Sequence, residues 1–196
     1  MDIIVATHNR DKLNEMSTIA KRYPVIFWGL GDLGLDTSIE ETGTTFDENA
    51  LIKARAIYER IGGIVIADDS GLCVDALSGA PGLYSARYGG VEASDSDKVR
   101  HLLDQMKTIA PQDRQAAFFC SLAVILSDGT ERIYHGVTKG TIAESPIGIT
   151  GFGYDPVFIP EGETRTMAEM TAQDKNTISH RGRALRLFLR ELFPSV

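Results

Sequence analysis

The stretch Ile64-Val65-Ile66-Ala67-Asp68-Asp69-Ser70-Gly71 decides how the rest of this chain is interpreted. Four apolar residues, three of them β-branched, predict a buried central strand over residues 64–67. The acidic residues then predict the point where that strand leaves the sheet, and ligands of open α/β sheets bind at the carboxyl ends of strands. Two adjacent carboxylates repel each other unless a cation such as Mg²⁺ lies between them. A plain polar turn also explains Asp-Ser-Gly, so this stretch alone leaves both interpretations open.

The composition is that of an ordinary globular chain of one domain, or of one domain with two lobes. The 196 residues include 43% hydrophobic side chains and carry a net charge of −7, with a mean hydropathy of −0.08. Such an acidic chain is not expected to bind nucleic acid, which requires a basic face. Local Lys and Arg side chains could still serve a single phosphate chain.

Cysteine usage and the amino terminus bear on where the protein resides. Cys73 and Cys120 lack the spacing of a zinc site and are expected to be reduced thiols in the core. Residues 1–5 lead directly into a predicted strand, without a basic segment or a long apolar segment, so no signal peptide is expected. No apolar run approaches the roughly 20 residues of a membrane span. We therefore expect a cytoplasmic protein with no membrane partner.

Apolar periodicity predicts an α/β order in the first part of the chain. Strands are predicted over residues 2–6, 25–28 and 64–67, with one helix after Lys12 and another that ends near Arg60. The glycines of residues 29–34 match G-x-G-x-x-G literally. No helical pattern follows them, so they are interpreted as turn residues and not as a dinucleotide fingerprint.

The remaining elements predict a mixed sheet. A helix is predicted over residues 95–109 with Ser94 as its cap, and the last helix over residues 179–193. Strands are predicted over residues 116–126 and 131–138, joined by a hairpin turn, and a short strand over residues 157–159. Because the hairpin is antiparallel, the sheet as a whole should be mixed.

Polar clusters lie at five predicted strand ends or helix starts. They are residues 7–12, residues 40–41, residues 68–70, residues 152–155, and Lys175 with residues 180–181. Each cluster alone is explained by capping or turn chemistry, and residues 7–12 in particular could be a plain helix cap. Together they provide carboxylates for a metal, cations and helix starts for phosphates, and an aromatic ring with an acid for a planar base. This combination suits a nucleoside triphosphate with Mg²⁺.

Six motifs occur in order between Thr7 and Ala184. They are Thr7-x-Asn9-x-x-Lys12, Glu40-Glu41-Thr42-Gly43, Ala67-Asp68-Asp69-Ser70-Gly71, Gly79-Ala80-Pro81-Gly82-x-Tyr84-Ser85-Ala86-Arg87, Gly151-Phe152-Gly153-Tyr154-Asp155-Pro156 and Ser179-His180-Arg181. In this order they closely resemble the inosine/xanthosine triphosphate pyrophosphatase family. One departure is His8, where the family usually has glycine.

The resemblance implies a fold, an activity and an assembly. The expected fold is α/β, an elongated mixed β-sheet flanked by helices, with residues 1–196 forming a single domain of two lobes with a central nucleotide cleft. The expected activity is Mg²⁺-dependent hydrolysis of ITP, dITP and XTP to the monophosphate and pyrophosphate, which cleanses the nucleotide pool. The family also implies a homodimer, with residues 84–90 and 111–126 as candidate interfaces.

The resemblance further implies roles for single residues. Asp69 is expected to accept the proton of the attacking water, Glu40 and Asp69 to hold Mg²⁺, and Asp68 and Glu41 to support them. The residues expected to contact the phosphates are Thr7, His8, Asn9, Arg10, Asp11, Lys12 and Lys53. Ser70 is expected to touch the substrate, and the residues expected at the base and adjoining groups are Phe152, Gly153, Tyr154, Asp155, Lys175, His180 and Arg181.

Elementary chemistry agrees with these roles. A metal polarises the phosphoryl oxygens and lowers the pKa of water, and a carboxylate beside it can take the proton. Hypoxanthine and xanthine carry an oxygen at C6 where adenine carries an amino group. A buried Lys or Arg donor aimed at that oxygen would be left unpaired by adenine, at a cost of about 1–3 kcal/mol.

Competing interpretations fit less well. Septum-associated pyrophosphatases of similar fold carry paired arginines in the opening motif, which residues 7–12 lack. An aspartyl-phosphate phosphatase spaces its two carboxylates by one residue, whereas Asp68 and Asp69 are adjacent. Ser70 lacks the G-x-S-x-G elbow of serine hydrolases. A nucleotide sensor without turnover remains open, although the retained carboxylates argue against it.

Overall fold

A single mixed sheet is the centre of the structure, a computed structural model that describes residues 1–195. Its six strands follow the order β2-β1-β3-β4-β5-β6. The strands are β1 (Asp2–Val5), β2 (Ile26–Gly29), β3 (Val65–Val74), β4 (Gln115–Ile125), β5 (Glu131–Ile142) and β6 (Phe158–Pro160). β1 pairs in parallel with β2 and β3, and β5 pairs antiparallel with β6. The predicted α/β class and mixed sheet are confirmed.

Within residues 1–195, five α-helices accompany the strands. They are α1 (Arg10–Ile19), α2 (Phe46–Ile61), α3 (Asp95–Gln105), α4 (Ala172–Ile178) and α5 (His180–Leu192). The sequence did not predict α4 because its residues, AQDKNTI, carry no apolar stripe. None of the helices within residues 1–195 has both the length and the apolar character that crossing a membrane requires.

The main correction concerns β3. This strand was expected to end at Ala67, but it runs from Val65 to Val74, so Asp68, Asp69 and Ser70 lie inside it and not in a turn. The local sequence favours a turn, and the pairing of β3 with its neighbours overrides that preference. β5 likewise continues to Ile142, and α3 ends at Gln105.

The chain divides into two compact units. Unit 1 comprises Met1–Asp69, Cys120–Gly136 and the chain from Ser179 onwards, and unit 2 comprises Ser70–Phe119 and Val137–Ile178. The single domain with a central cleft stays a prediction. Cys73 and Cys120 are both free thiols, and burial raises the pKa of Cys120 to about 12.

Unit 1 packs helices on both faces of its strands. On one face, apolar side chains of the strands contact α1 and α5. These strand residues are Ile3, Val5, Ile66, Cys120, Leu122 and Val124. On the other face α2 contacts the strand residues Val65, Ala67, Ala123 and Ile125, and also Ala6, which directly follows β1. The residues of β3 therefore alternate, with 65 and 67 towards α2 and 66 towards α1 and α5, as strand geometry requires.

Unit 2 has its own core. Leu72 and Val74 of β3 are fully buried there together with Val99 and Leu102 of α3. The rings of Phe118 and Phe158 pack at a centroid distance of 4.6 Å. Tyr154 and Val157 belong to the same core, so the loop that carries residues 152–155 is attached to it.

Candidate active site

The two adjacent aspartates of β3 have different surroundings. Successive side chains of a strand point to opposite faces. Asp68 follows Ile66 towards α1 and α5, and Asp69 follows Ala67 towards α2. Their contacts agree with this, because Asp68 binds residues of α1 and α5 while Asp69 binds residues of α2. The direct cation contacts of the two carboxylates therefore differ: Lys12 and Arg181 contact Asp68, and Lys53 contacts Asp69.

Asp68 is neutralised by two cations. Arg181 donates to Asp68 Oδ2 from Nη2 at 2.9 Å and from Nε at 3.1 Å, and Lys12 Nζ lies 3.0 Å from the same oxygen. Arg181 Nη1 also binds Glu15 Oε2. Arg181 is only 2% exposed and Asp68 3%, so this is a buried ionic cluster. A charge-assisted arginine–carboxylate contact of this kind is among the stronger hydrogen bonds of proteins.

The backbone around α5 places Arg181 at that cluster. Ser179 caps the helix, with its Oγ accepting from Gly182 N at 3.0 Å. A Cβ at Gly136 of β5 would lie 1.9 Å from His180 O, so only glycine permits this close approach of the helix start. His180 itself is buried in the first turn of α5.

Asp69 is held from α2. Lys53 Nζ lies 3.2 Å from Asp69 Oδ1 and 3.1 Å from Glu41 Oε1, and Asn49 Nδ2 donates to Asp69 Oδ2 at 3.3 Å. Asn49 and Lys53 are four residues apart and so share one face of α2. Asn49 Oδ1 also accepts from Gly43 N at 2.8 Å, where a Cβ would lie 2.6 Å from that oxygen. The loop of residues 40–43 is thereby attached to the helix beside Asp69.

The pKa values of the two aspartates differ in direction. Burial alone would raise the pKa of Asp68, but the charges of Arg181, Lys12 and Lys53 hold it well below its usual value. For Asp69, burial raises the pKa, Lys53 opposes the rise and Glu41 adds to it, and the net pKa is raised. Asp68 is therefore held as an anion, whereas the pKa of Asp69 is shifted in the direction that suits a general base.

The predicted metal ligands fit Mg²⁺ in their chemistry. Within residues 1–195 no three His, Cys, Asp or Glu side chains cluster as a metal site. Mg²⁺ needs only one or two protein carboxylates, with waters and phosphates supplying the other oxygens. Glu41 and Asp69 converge on one ammonium, which shows that this position attracts positive charge. Glu40 lies exposed in the loop before α2, and its role as a ligand stays a prediction.

The loop from β1 to α1 is an ordered helix start. Asn9 Oδ1 accepts from Asp11 N at 2.9 Å and Lys12 N at 3.1 Å, and Thr7 Oγ1 accepts from Asn9 N at 3.1 Å. The proposed capping is thus confirmed, and the start of α1 retains the positive dipole end that favours anions.

Two side chains of this loop contact neighbouring segments. Arg10 Nη1 lies 2.7 Å from Asp32 Oδ1, and His8 Nε2 lies 3.1 Å from Thr37 O. Among residues 1–195, Ser78 is the only non-glycine residue with a positive φ. His8 in place of glycine therefore introduces no left-handed strain.

Unit 2 assembles a second group of predicted site residues. Lys175 Nζ lies 2.6 Å from Asp155 Oδ2 and 4.6 Å from the centre of the Phe152 ring. Asp155 Oδ2 also accepts from Phe152 N at 2.9 Å. Asp155 and Lys175 are buried, while Phe152 is half-buried. An aromatic face backed by a cation is a suitable platform for a planar ring.

Sequence reasoning missed several residues that support these groups. Glu15 and Asn49 are buried beside Arg181 and Asp69, and Asp95 accepts a hydrogen bond from Gly153 N. A signal existed for Glu15, which lies between Leu13 and Met16 on the buried side of α1. Ser70 lies half-buried in β3, directly after Asp69.

Comparison with known proteins shows similarity to the Ham1 family and to dITP/XTP pyrophosphatases. The family model of the Ham1 family matches residues 3–191. A dITP/XTP pyrophosphatase of Streptomyces coelicolor is 47% identical, with 94% of this chain and 93% of that protein covered. A dITP/XTP pyrophosphatase of Shigella flexneri is 45% identical, with 97% of each covered. The structure of a HAM1 protein from Coxiella burnetii superimposes with a TM-score of 0.88 at 40% identity, covering 100% of both chains.

Proposed function

Because the chain belongs to the Ham1 family and is a nucleoside-triphosphate pyrophosphatase, we propose that it hydrolyses ITP, dITP and XTP to the monophosphate and pyrophosphate. The relatives in Streptomyces coelicolor and Shigella flexneri are named for dITP and XTP, and the chain covers almost their whole length. This activity would remove non-standard purine nucleotides from the nucleotide pool.

The observation that carries the proposal is the unequal environment of Asp68 and Asp69. Asp69 accepts the proton of the water that attacks the α-phosphorus, since its pKa is raised above the usual aspartate value and Lys53 holds its carboxylate in place. Asp68 instead fixes Lys12 and Arg181 through its permanent negative charge. Bound at Asp69 with Glu40 or Glu41, Mg²⁺ would supply the charge that polarises the phosphoryl oxygens and acidifies water.

Lys12 and the start of α1 are suited to phosphate oxygens. An ammonium carries three donors, and Asp68 occupies one direction around Lys12. The Lys12 side chain is 20% exposed, so part of the ammonium can reach a ligand. Thr7 and Asn9 hold the loop in place, which lowers the entropic cost of ordering it around phosphates.

For the base, we propose that Phe152 and Lys175 of unit 2 recognise the purine. The half-buried Phe152 ring offers a face for stacking, and Lys175 offers donors that suit the oxygen at C6 of hypoxanthine and xanthine. Adenine presents an amino donor there, so a Lys175 N–H aimed at C6 would find no acceptor on the base. The buried Asp155 holds both partners, through Phe152 N and Lys175 Nζ.

A pyrophosphate-release assay tests the proposal. Purified protein is supplied with ITP, dITP, XTP, GTP, ATP and dTTP, each with Mg²⁺ and with EDTA in its place. We expect strong preference for the first three substrates, and no release in EDTA. Equal turnover of GTP or ATP would contradict the proposed substrate preference. It would not contradict the proposed hydrolysis to monophosphate and pyrophosphate. Absence of release from every triphosphate would instead support a nucleotide sensor.

Family likeness also leads us to propose a homodimer in the cytoplasm. Residues 84–90 and 111–126 remain the candidate interfaces. Light scattering coupled to gel filtration tests for the homodimer, because a dimer has twice the 21.4 kDa mass of one chain. A single-chain mass at assay concentration would contradict it.

A further inference from the structure

Asp95 contacts the loop of residues 152–155 from the first turn of α3. Its Oδ2 accepts from Gly153 N at 2.7 Å, while its Oδ1 lies 3.0 Å from Lys98 Nζ. The two residues that meet are 58 positions apart in the chain. This contact is therefore tertiary and is not required by the helix itself.

The other residues of the loop are attached by different partners. Phe152 N donates to Asp155 Oδ2, and Asp155 is bound to Lys175. Tyr154 Oη donates to Ser85 O at 2.9 Å. Gly153 adopts a φ of 62°, and a Cβ built on it would meet no atom within 4 Å. The contact with Asp95 therefore holds the amide of the peptide that follows Phe152.

We propose that Asp95 is a positioning residue for base recognition: by holding the Gly153 amide it fixes the Phe152 ring and so sets the affinity for the purine. The inference rests on the proposed function, because it concerns the same substrate. A stacking ring must be held to within about 0.5 Å of its productive position. A carboxylate acceptor gives a shorter and stronger bond to an amide than a neutral oxygen does.

A structural explanation competes with this role and can be separated from it. Any acid in the first turn of a helix interacts favourably with the helix dipole. Asp97 has that role in the same turn, where it forms a capping box with Ser94. Within residues 1–195, the Asp97 carboxylate contacts Ser94 and Arg100, both three residues away, so Asp97→Ala is a matched control for the helix effect alone.

The kinetic test compares three variants with the wild type on ITP. We expect Asp95→Ala to raise KM about tenfold and to change kcat less than about twofold, because binding weakens while Asp69 is untouched. Asp95→Asn should restore most of the affinity, since its amide oxygen can accept from the same N–H. Asp97→Ala should lower the melting temperature and leave KM unchanged.

Amide hydrogen exchange provides a readout that does not need turnover. The Gly153 amide should exchange faster in Asp95→Ala and at the wild-type rate in Asp97→Ala. An unchanged KM in Asp95→Ala, or an equal rise in Asp97→Ala, overturns the proposal. If the wild type releases pyrophosphate from no triphosphate, the proposed function fails and the claim about affinity falls with it. Exchange at Gly153 then decides separately whether Asp95 holds the loop.

Discussion

Lys53 Nζ lies 3.2 Å from Asp69 Oδ1 and 3.1 Å from Glu41 Oε1, so one buried ammonium joins the two carboxylates. Burial lowers the pKa of Lys53, but Asp69, Asp68 and Glu41 raise it, and the net pKa is raised. Lys53 is therefore charged throughout the working pH range. It opposes the rise that burial causes in the pKa of Asp69.

Asp69→Asn should abolish nearly all turnover while the protein still folds. The amide has the same shape as the carboxylate but cannot accept the proton, a loss that costs about 10²–10⁴-fold in rate. Lys53 keeps Glu41 as a partner in this variant. The measurements are kcat on ITP and a thermal melt. Near-normal activity would assign the base elsewhere, and Asp68 would be tested next.

The acidic limb of the pH–rate profile should move when Lys53 is removed. A general base works only when deprotonated, so activity falls as the pH drops through the raised pKa of Asp69. The Lys53 ammonium lowers that pKa, and Lys53→Met should therefore shift the limb to higher pH. The check is kcat/KM against pH, with the exposed Lys107→Met as the control. An acidic limb that does not shift in Lys53→Met would show that a group other than Asp69 titrates.

Arg181→Met should destabilise the fold strongly. It leaves the buried carboxylates of Glu15 and Asp68 without their guanidinium, and breaking a buried ion pair costs about 3–5 kcal/mol. Urea unfolding measures the loss. Arg183→Met on the exposed side of the same helix should change stability by about 0.5 kcal/mol or less. Equal stability of the two variants would contradict a structural role for Arg181.

Gly151→Ala should weaken substrate binding without unfolding unit 2. Gly151 has a φ of 76°, and a Cβ there would lie 2.1 Å from Asp155 Oδ2. The carboxylate must then move, and its bonds to Phe152 N and Lys175 are lost. We expect KM for ITP to rise about tenfold. Gly162→Ala is the control, since it has a φ of 84° and no atom within 4 Å. An equal effect in both variants would indicate backbone strain alone.

The order of elements was predictable because it depends on local patterns. Alternating apolar runs and helical stripes gave the α/β class, the mixed sheet and the approximate positions of α1, α2, α3 and α5. Ser94 was predicted as the cap of α3, and the helix cap considered for residues 7–12 is provided by Asn9. The polar α4 was missed, since a helix of seven residues without an apolar stripe forms only through its tertiary contacts.

The candidate site was predictable only as a set of residues. The motifs named Asp68, Asp69 and Arg181, and the family resemblance added Lys53. The local sequence, however, predicted that the two aspartates lie together in one turn. The continuation of β3 to Val74 places them on opposite faces and gives each its own cations.

The sequence by itself determined the family, the fold class and the residues that carry the chemistry, because these depend on the order and spacing of side chains. The tertiary structure decided which charges meet. Arg181 is 113 residues from Asp68 and 166 from Glu15 along the chain, yet all three share one buried cluster. Because a pKa depends on burial and on charges brought close by folding, only the folded chain makes Asp68 a fixed anion and leaves Asp69 able to take a proton.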